Sequence, residues 1–181
     1  MLHRPIGRLL AAVFAVALPS AFAADNIAWG DPQHEIRIGI AGSSVFFENT
    51  GRIDQTVLVG RTTGIGPIYA LHFTATTPEG REIKLLNGGQ AGVGGYMGPL
   101  PLRLAPGGMQ EISIPMSKIF MIEGPGRDRA LDAILRLNYS VSVSLEVDQA
   151  EVDWATRSNT TFGGQKFWTG AMTSGMWRQP Q

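Results

Sequence analysis

Between Leu131 and Val147, apolar side chains recur at every odd position: Leu131, Ala133, Leu135, Leu137, Tyr139, Val141, Val143, Leu145 and Val147. The even positions carry Asp132, Arg136, Asn138, Ser140, Ser142, Ser144 and Glu146, and Ile134 is the one departure. A period of two marks a half-buried strand, because successive side chains point to opposite faces. The pattern predicts a strand over 137–147, with Tyr139, Val141, Val143 and Leu145 facing inward. Ser140, Ser142 and Ser144 then face solvent or an edge. Residues 128–136 stay open between strand and helix, since Asp132 and Arg136 could pair one helical turn apart.

The same alternation appears in Ile36, Ile38 and Ile40, in Tyr69, Leu71, Phe73 and Ala75, in Ile83 and Leu85, and in Ile112, Ile114 and Met116. Val57 and Val59 form a shorter run, and Lys166 to Thr173 is a last candidate. Pro115 lacks a ladder donor, which sends its strand to an edge or ends it. Thr77-Pro78-Glu79-Gly80 places Pro and Gly where a type I or II turn wants them, so 68–76 and 81–86 are expected to form a hairpin. Asn49-Thr50-Gly51, Pro106-Gly107-Gly108 and Gly124-Pro125-Gly126 supply further turns. Seven to eight short strands with turns between them predict an all-β protein, an immunoglobulin-like antiparallel β-sandwich. No long amphipathic helix and no βαβ alternation is visible. Residues 87–100, NGGQAGVGGYMGPL, read as a long loop, a length often tied to function.

Residues 1–23 read differently. His3, Arg4 and Arg8 precede an unbroken apolar run from Leu9 to Leu18, then Pro19 and the small–x–small pattern Ala21-Phe22-Ala23. This is the layout of a secretory signal peptide cleaved after Ala23. Ten helical residues span roughly 15 Å, too short for a bilayer core needing about 20 apolar residues. The mature chain, 24–181, is expected to be a single periplasmic or secreted β-sandwich domain. No later segment reads as a membrane span, because Leu131 to Val147 is interrupted by Asp132, Arg136, Asn138 and Glu146.

Composition narrows the chemistry. The 181 residues hold no Cys, 15 basic and 15 acidic groups. Zero Cys excludes a disulfide, a thiolate metal site and a Cys nucleophile. The balanced charge argues against nucleic acid as a partner. Gly60 to Gly66 lacks the Lys-Ser/Thr of a phosphate loop, and no G-x-S-x-G elbow or H-E-x-x-H pair occurs. His34 falls in a loop and His72 on the polar face of its strand; a metal site using Glu35 as third ligand is disfavoured, because adjacent strand residues diverge. Asp148, Glu151 and Asp153 cluster after the long strand, out of calcium-loop spacing, and read as a solvated acidic loop. These residues lead to no cofactor, no metal and no catalytic set.

Aromatic residues are the distinctive feature. Trp154, Trp168 and Trp177 crowd the C-terminal region with Phe162 and Phe167, and Trp29 opens the mature chain. Packing at the sandwich ends is the favoured role, given how far Trp is usually buried. If the protein is a binder, contact falls first to Tyr96 and Met97, among glycines that build no core, and second to Trp177 near the chain end, where packing is weakest; the alternative is that Tyr96 folds back over a sheet end and closes the sandwich.

The order of motifs resembles exported bacterial immunoglobulin-like sandwich domains. Trp29-Gly30 opens before a strand, Pro78-Glu79-Gly80 marks a hairpin, and Leu104-Ala105-Pro106-Gly107 a turn. Trp168-Thr169-Gly170 and Ser174-Gly175 close the chain. The early strands also show a fainter likeness to proteinase-inhibitor sandwiches. The resemblance implies a non-enzymatic binding or structural module contacting a protein or cell-envelope component. The alternatives are a hydrolase-like enzyme using loop carboxylates and a protease inhibitor.

Overall fold

The computed structural model describes residues 26–64, 66–87, 97–114, 119–121 and 131–180. The expected signal segment and cleavage position after Ala23, Tyr96, most of the glycine-rich stretch, Pro115 and the turn expected at Gly124–Gly126 lie outside these residues.

In chain order the strands are β1 (Ala28–Trp29), β2 (Ile36–Ala41), β3 (Ser44–Asn49), β4 (Gln55–Thr63), β5 (Gly66–Tyr69), β6 (Leu71–Thr76) and β7 (Glu82–Asn87). They continue as β8 (Met97–Leu104), β9 (Met109–Ser113), β10 (Ile119–Met121), β11 (Ser140–Val147) and β12 (Gly170–Thr173). Among the described residues, two α-helices, α1 (Leu131–Leu135) and α2 (Gln149–Ser158), and a 3-10 turn at Thr160–Phe162 join them. The fold is all-β and sandwich-like, with three antiparallel sheets ordered β1-β2-β3-β9, β10-β7-β6-β11-β12 and β5-β4-β8. One apolar core draws on all three, including Ile36, Ile38, Val57, Phe73, Val143 and Leu145. Full burial of a side chain such as Val143 contributes about 1.5–3 kcal/mol.

β11 lies between β6 and β12, with Val143 opposite Phe73 and Leu145 opposite both Leu71 and Met172. Val141, Val143, Leu145 and Val147 are buried, while Ser142 and Ser144 are half-buried. Ser140 departs from the expected register of exposure. It is buried, because the C-terminal tail crosses it and its hydroxyl donates to the Met176 sulfur at 3.7 Å. The strand is also shorter than predicted. Residues 131–135 are helical, and Ile134, the one violation of alternation, explains it. Leu131, Ile134 and Leu135 are all buried, the i, i+3, i+4 stripe of a helix. Asn138, with φ of 60°, then turns the chain into β11.

The predicted Pro78 hairpin is present, with Thr76 opposite Glu82. Gly80 N–H donates to the Thr77 carbonyl at 2.9 Å, and Gly80 has φ of 84°. Glu79 is not among the positive-φ residues, so the turn is type I followed by a left-handed glycine, the three-residue hairpin geometry. β1, β3, β8 and β10 were not anticipated, and the run expected as one strand over 68–76 is divided between β5 and β6. β3 pairs with β2 and β9, and β8 pairs with β4 along its length. Residues 97–100, read as loop, are therefore strand. Pro99 and Pro101 are accommodated because β8 is the outermost strand of its sheet. The acidic segment is a second correction. Asp148 to Asp153 does not form a loop, because Asp148 caps α2.

Two close backbone approaches fix the corners. β4 carries a bulge between Leu58 and Gly60, and a Cβ on Gly60 would sit 2.0 Å from the Ile68 carbonyl oxygen. The chain then crosses from β5 to β6 at Ala70, whose N–H donates to Val59 at 2.9 Å. At another corner, a Cβ on Gly30 would lie 1.7 Å from the Thr173 carbonyl oxygen, and Gly175 N–H donates to Ala28 at 3.1 Å. Trp29-Gly30 and Ser174-Gly175 are thus two sides of one seam. Ser174 completes it: its hydroxyl accepts from Val143 N–H at 3.0 Å and its own N–H donates to the Val143 carbonyl at 2.8 Å.

Candidate functional site

Where β4 and β5 give way to β6, an open cleft of about 430 Å³ is bordered by Arg61, Tyr69, His72, Glu146, Asp148 and Glu151. Its position follows from the bulge and Gly60, which turn β4 away from the five-stranded sheet. Its far wall is the end of β11 and the first turn of α2. Asp148 is the α2 N-cap and accepts from Glu151 N–H at 2.7 Å. An acidic residue three positions after the cap also suits the positive end of the helix.

The groups around this cleft are mostly engaged with one another. Arg61 Nη2 lies 3.2 Å from Glu151 Oε2. The Arg61 guanidinium carbon also sits 4.3 Å from the Trp154 ring centroid, a cation–π contact. Asp153 accepts from the Gln149 amide at 2.8 Å. The three acids singled out in sequence therefore cap a helix, pair with Arg61 and bind a neighbouring amide. Among the described residues, no three His, Asp or Glu side chains gather to hold a metal ion. His72 is exposed on the polar face of β6. His34 does not line the cleft: its ring stands 6.5 Å from Trp168, with Nδ1 3.2 Å from the Thr169 carbonyl oxygen.

Met97 is 37 % exposed at the start of β8. It pairs with Thr63, and Pro99 pairs with Arg61. Directly paired residues share a face and residues two apart in a strand do too. Met97 thus stands on the same sheet face as Arg61, and α2, which carries Trp154, packs against β8. An exposed thioether, a half-buried indole and a stacked guanidinium share that face. The cleft opens beside them. Met97 stood out in the sequence as a contact residue, Trp154 read as a packing residue, and Arg61 did not stand out. Arg61 and Glu151 are 90 positions apart, so no local spacing could have announced their pairing. Tyr96 lies outside the described residues.

Trp177 sits at the other end of β11. Its N–H donates to the Val141 carbonyl at 2.9 Å and its carbonyl accepts from Val141 N–H at 2.8 Å. Its ring is half-buried against the core, so the chain is tied down at 177 despite being near the terminus. The other Trp residues pack. Trp168 is buried and its indole N–H donates to the Gln33 carbonyl at 2.9 Å. Trp29 lies over Gly39 with the Arg37 guanidinium 4.5 Å from its ring centroid.

No helix among the described residues is long and apolar enough to cross a membrane. No protein family, no curated protein and no solved structure matches the chain.

Proposed function

We propose that this protein is an exported, non-enzymatic binding module that holds a protein or cell-envelope component through the β8 face carrying Met97. The observation behind this reading is the exposed Met97 on one sheet face with the Arg61–Trp154 stack, beside an open cleft. Met adapts to irregular surfaces, and Trp and Arg are the residues over-represented at contact hot spots. The internal pairing of Arg61 keeps that stack ordered before a partner arrives, which lowers the entropic cost of contact. The basic start, apolar run and Ala21-Phe22-Ala23 pattern support export, with the mature chain beginning at Ala24. The immunoglobulin-like form of the sandwich belongs to the same proposal; it is supported by the antiparallel sheets and by the Trp29-Gly30 and Ser174-Gly175 seam.

Capture from envelope extract tests the reading. Immobilised Met97→Asp should retain about tenfold less of the bound component than the wild type, at an unchanged melting temperature. Thr62→Asp, on the opposite face of β4, should retain it fully. Equal retention by both variants would contradict the assignment of this face.

A further inference from the structure

The end of the sandwich around Tyr139 holds a second recess, of about 510 Å³, lined by Pro78, Leu135, Asn138, Tyr139, Arg178 and Gln179. Its floor follows from the fold. α1 ends at Leu135, the chain turns through Asn138, and Tyr139 enters β11 with its ring packed on the core. The bridge between Val141 and Trp177 brings the C-terminal tail alongside, and the two residues that follow close one side. The exposed apolar residues next to this lining in the chain are Leu137, 41 % exposed, and Met176, 57 % exposed.

Among the described residues, Arg178 is the one ionisable group lining the recess apart from Tyr139, and no acid lines it. Arg178 is exposed and makes no ion pair or hydrogen bond with another described residue. Arg37 and Arg61, by contrast, are each paired to a Glu and stacked on a Trp. A guanidinium left free beside apolar and aromatic surface offers a forked donor set that matches a carboxylate.

We propose that this recess is a docking site for a segment of a partner protein that presents a carboxylate beside an apolar side chain. The carboxylate pairs with Arg178, and the apolar side chain covers Tyr139 and Leu135. The site is separate from the β8 face: Tyr139 precedes the first residue of β11, whereas Glu146, at the cleft, is near its last. It stands whether or not that face binds anything.

The test is an amide NMR titration of the full mature chain with an N-acetylated, C-terminally amidated tetrapeptide alternating leucine and glutamate. A twin peptide carries glutamine in place of each glutamate. Saturable shifts are expected at Tyr139, at the Trp177 indole and in residues 176–179. The glutamine twin should bind about tenfold more weakly. Arg178→Ala should weaken the glutamate peptide about tenfold, and Arg178→Lys should recover part of the loss. Arg178 is exposed, so these variants keep the fold, and an unchanged spectrum elsewhere verifies it. Absence of saturation at millimolar peptide, equal binding of the twin, indifference to Arg178→Ala, or shifts confined to the β8 cleft would each overturn the proposal.

Discussion

Asn49 shows how much a single side chain holds. It is fully buried, and its amide nitrogen donates to the carbonyls of Ile53 at 2.7 Å and Leu104 at 3.0 Å. Its carbonyl oxygen accepts from Gly51 N–H at 2.9 Å. The 51–53 loop and the end of β8 are tied together through one residue, and the bond to Leu104 is buried. Asn49→Ala should therefore cost about 3 kcal/mol in a denaturant titration, because it leaves the buried Leu104 carbonyl unpaired and releases the loop. Thr50→Ala, next to it but exposed, should cost well under half as much. Glu79 makes a smaller, pH-dependent contribution. The Thr77 hydroxyl, the Glu79 backbone N–H and the Arg81 charge hold its carboxyl below the usual carboxylate range. A depressed folded-state pKa adds stability above the ordinary value and loses it as pH falls through the lowered one. Acid titration of Glu79→Gln should lack that part of the loss, and identical acid limbs would refute the contribution.

At the scale of elements, β11 supplies the clearest check on register. Val143 is fully buried between Phe73 and the core, while Ser142 is half-buried on the other face. Val143→Asp should lose several kcal/mol by burying an unpaired charge, and Ser142→Asp far less; equal losses would contradict the pairing. Gly39→Ala probes the outer face of β2, where a Cβ would come within 2.7 Å of the Trp29 ring. Its expected signature is a changed Trp fluorescence together with a lowered melting temperature. β11, β2, β6 and the Pro78 hairpin were legible in the sequence because each buries one face of a sheet. Period two reports that directly. The helices were harder to read. In α1 the odd-position apolar residues continue the β11 pattern, and only Ile134 betrays the change of period. In α2 the signal was present but local: Asp148 with Glu151 three residues later is a helix start, and it outweighs the acidity that suggested a loop. β8 was hidden by two prolines and a glycine, which are tolerated there because the strand has one neighbour. The seam between Gly30 and Gly175 gives a physical reason for short Trp-Gly and Ser-Gly motifs that sequence could note but not connect.

For the molecule as a whole, the candidate site divides along the same line. Single residues such as the exposed Met97 and the half-buried Trp177 could be picked out by composition and position. The Arg61–Glu151–Trp154 cluster could not, since it exists only once β4 and α2 meet across the fold. Export adds a separate prediction. Intact mass of the protein recovered from its native host should show an N-terminus at Ala24, and a chain retaining Met1 would contradict it. The central claim is that the face bearing Met97 makes the contact. A photo-activatable benzoylphenylalanine placed at position 97, and in a parallel sample at position 62 on the opposite face, tests this in cells without disturbing the core. A discrete, saturable adduct is expected from position 97 and none from position 62. Adducts of equal yield from both positions, or none from position 97 while the protein is folded and exported, would contradict it.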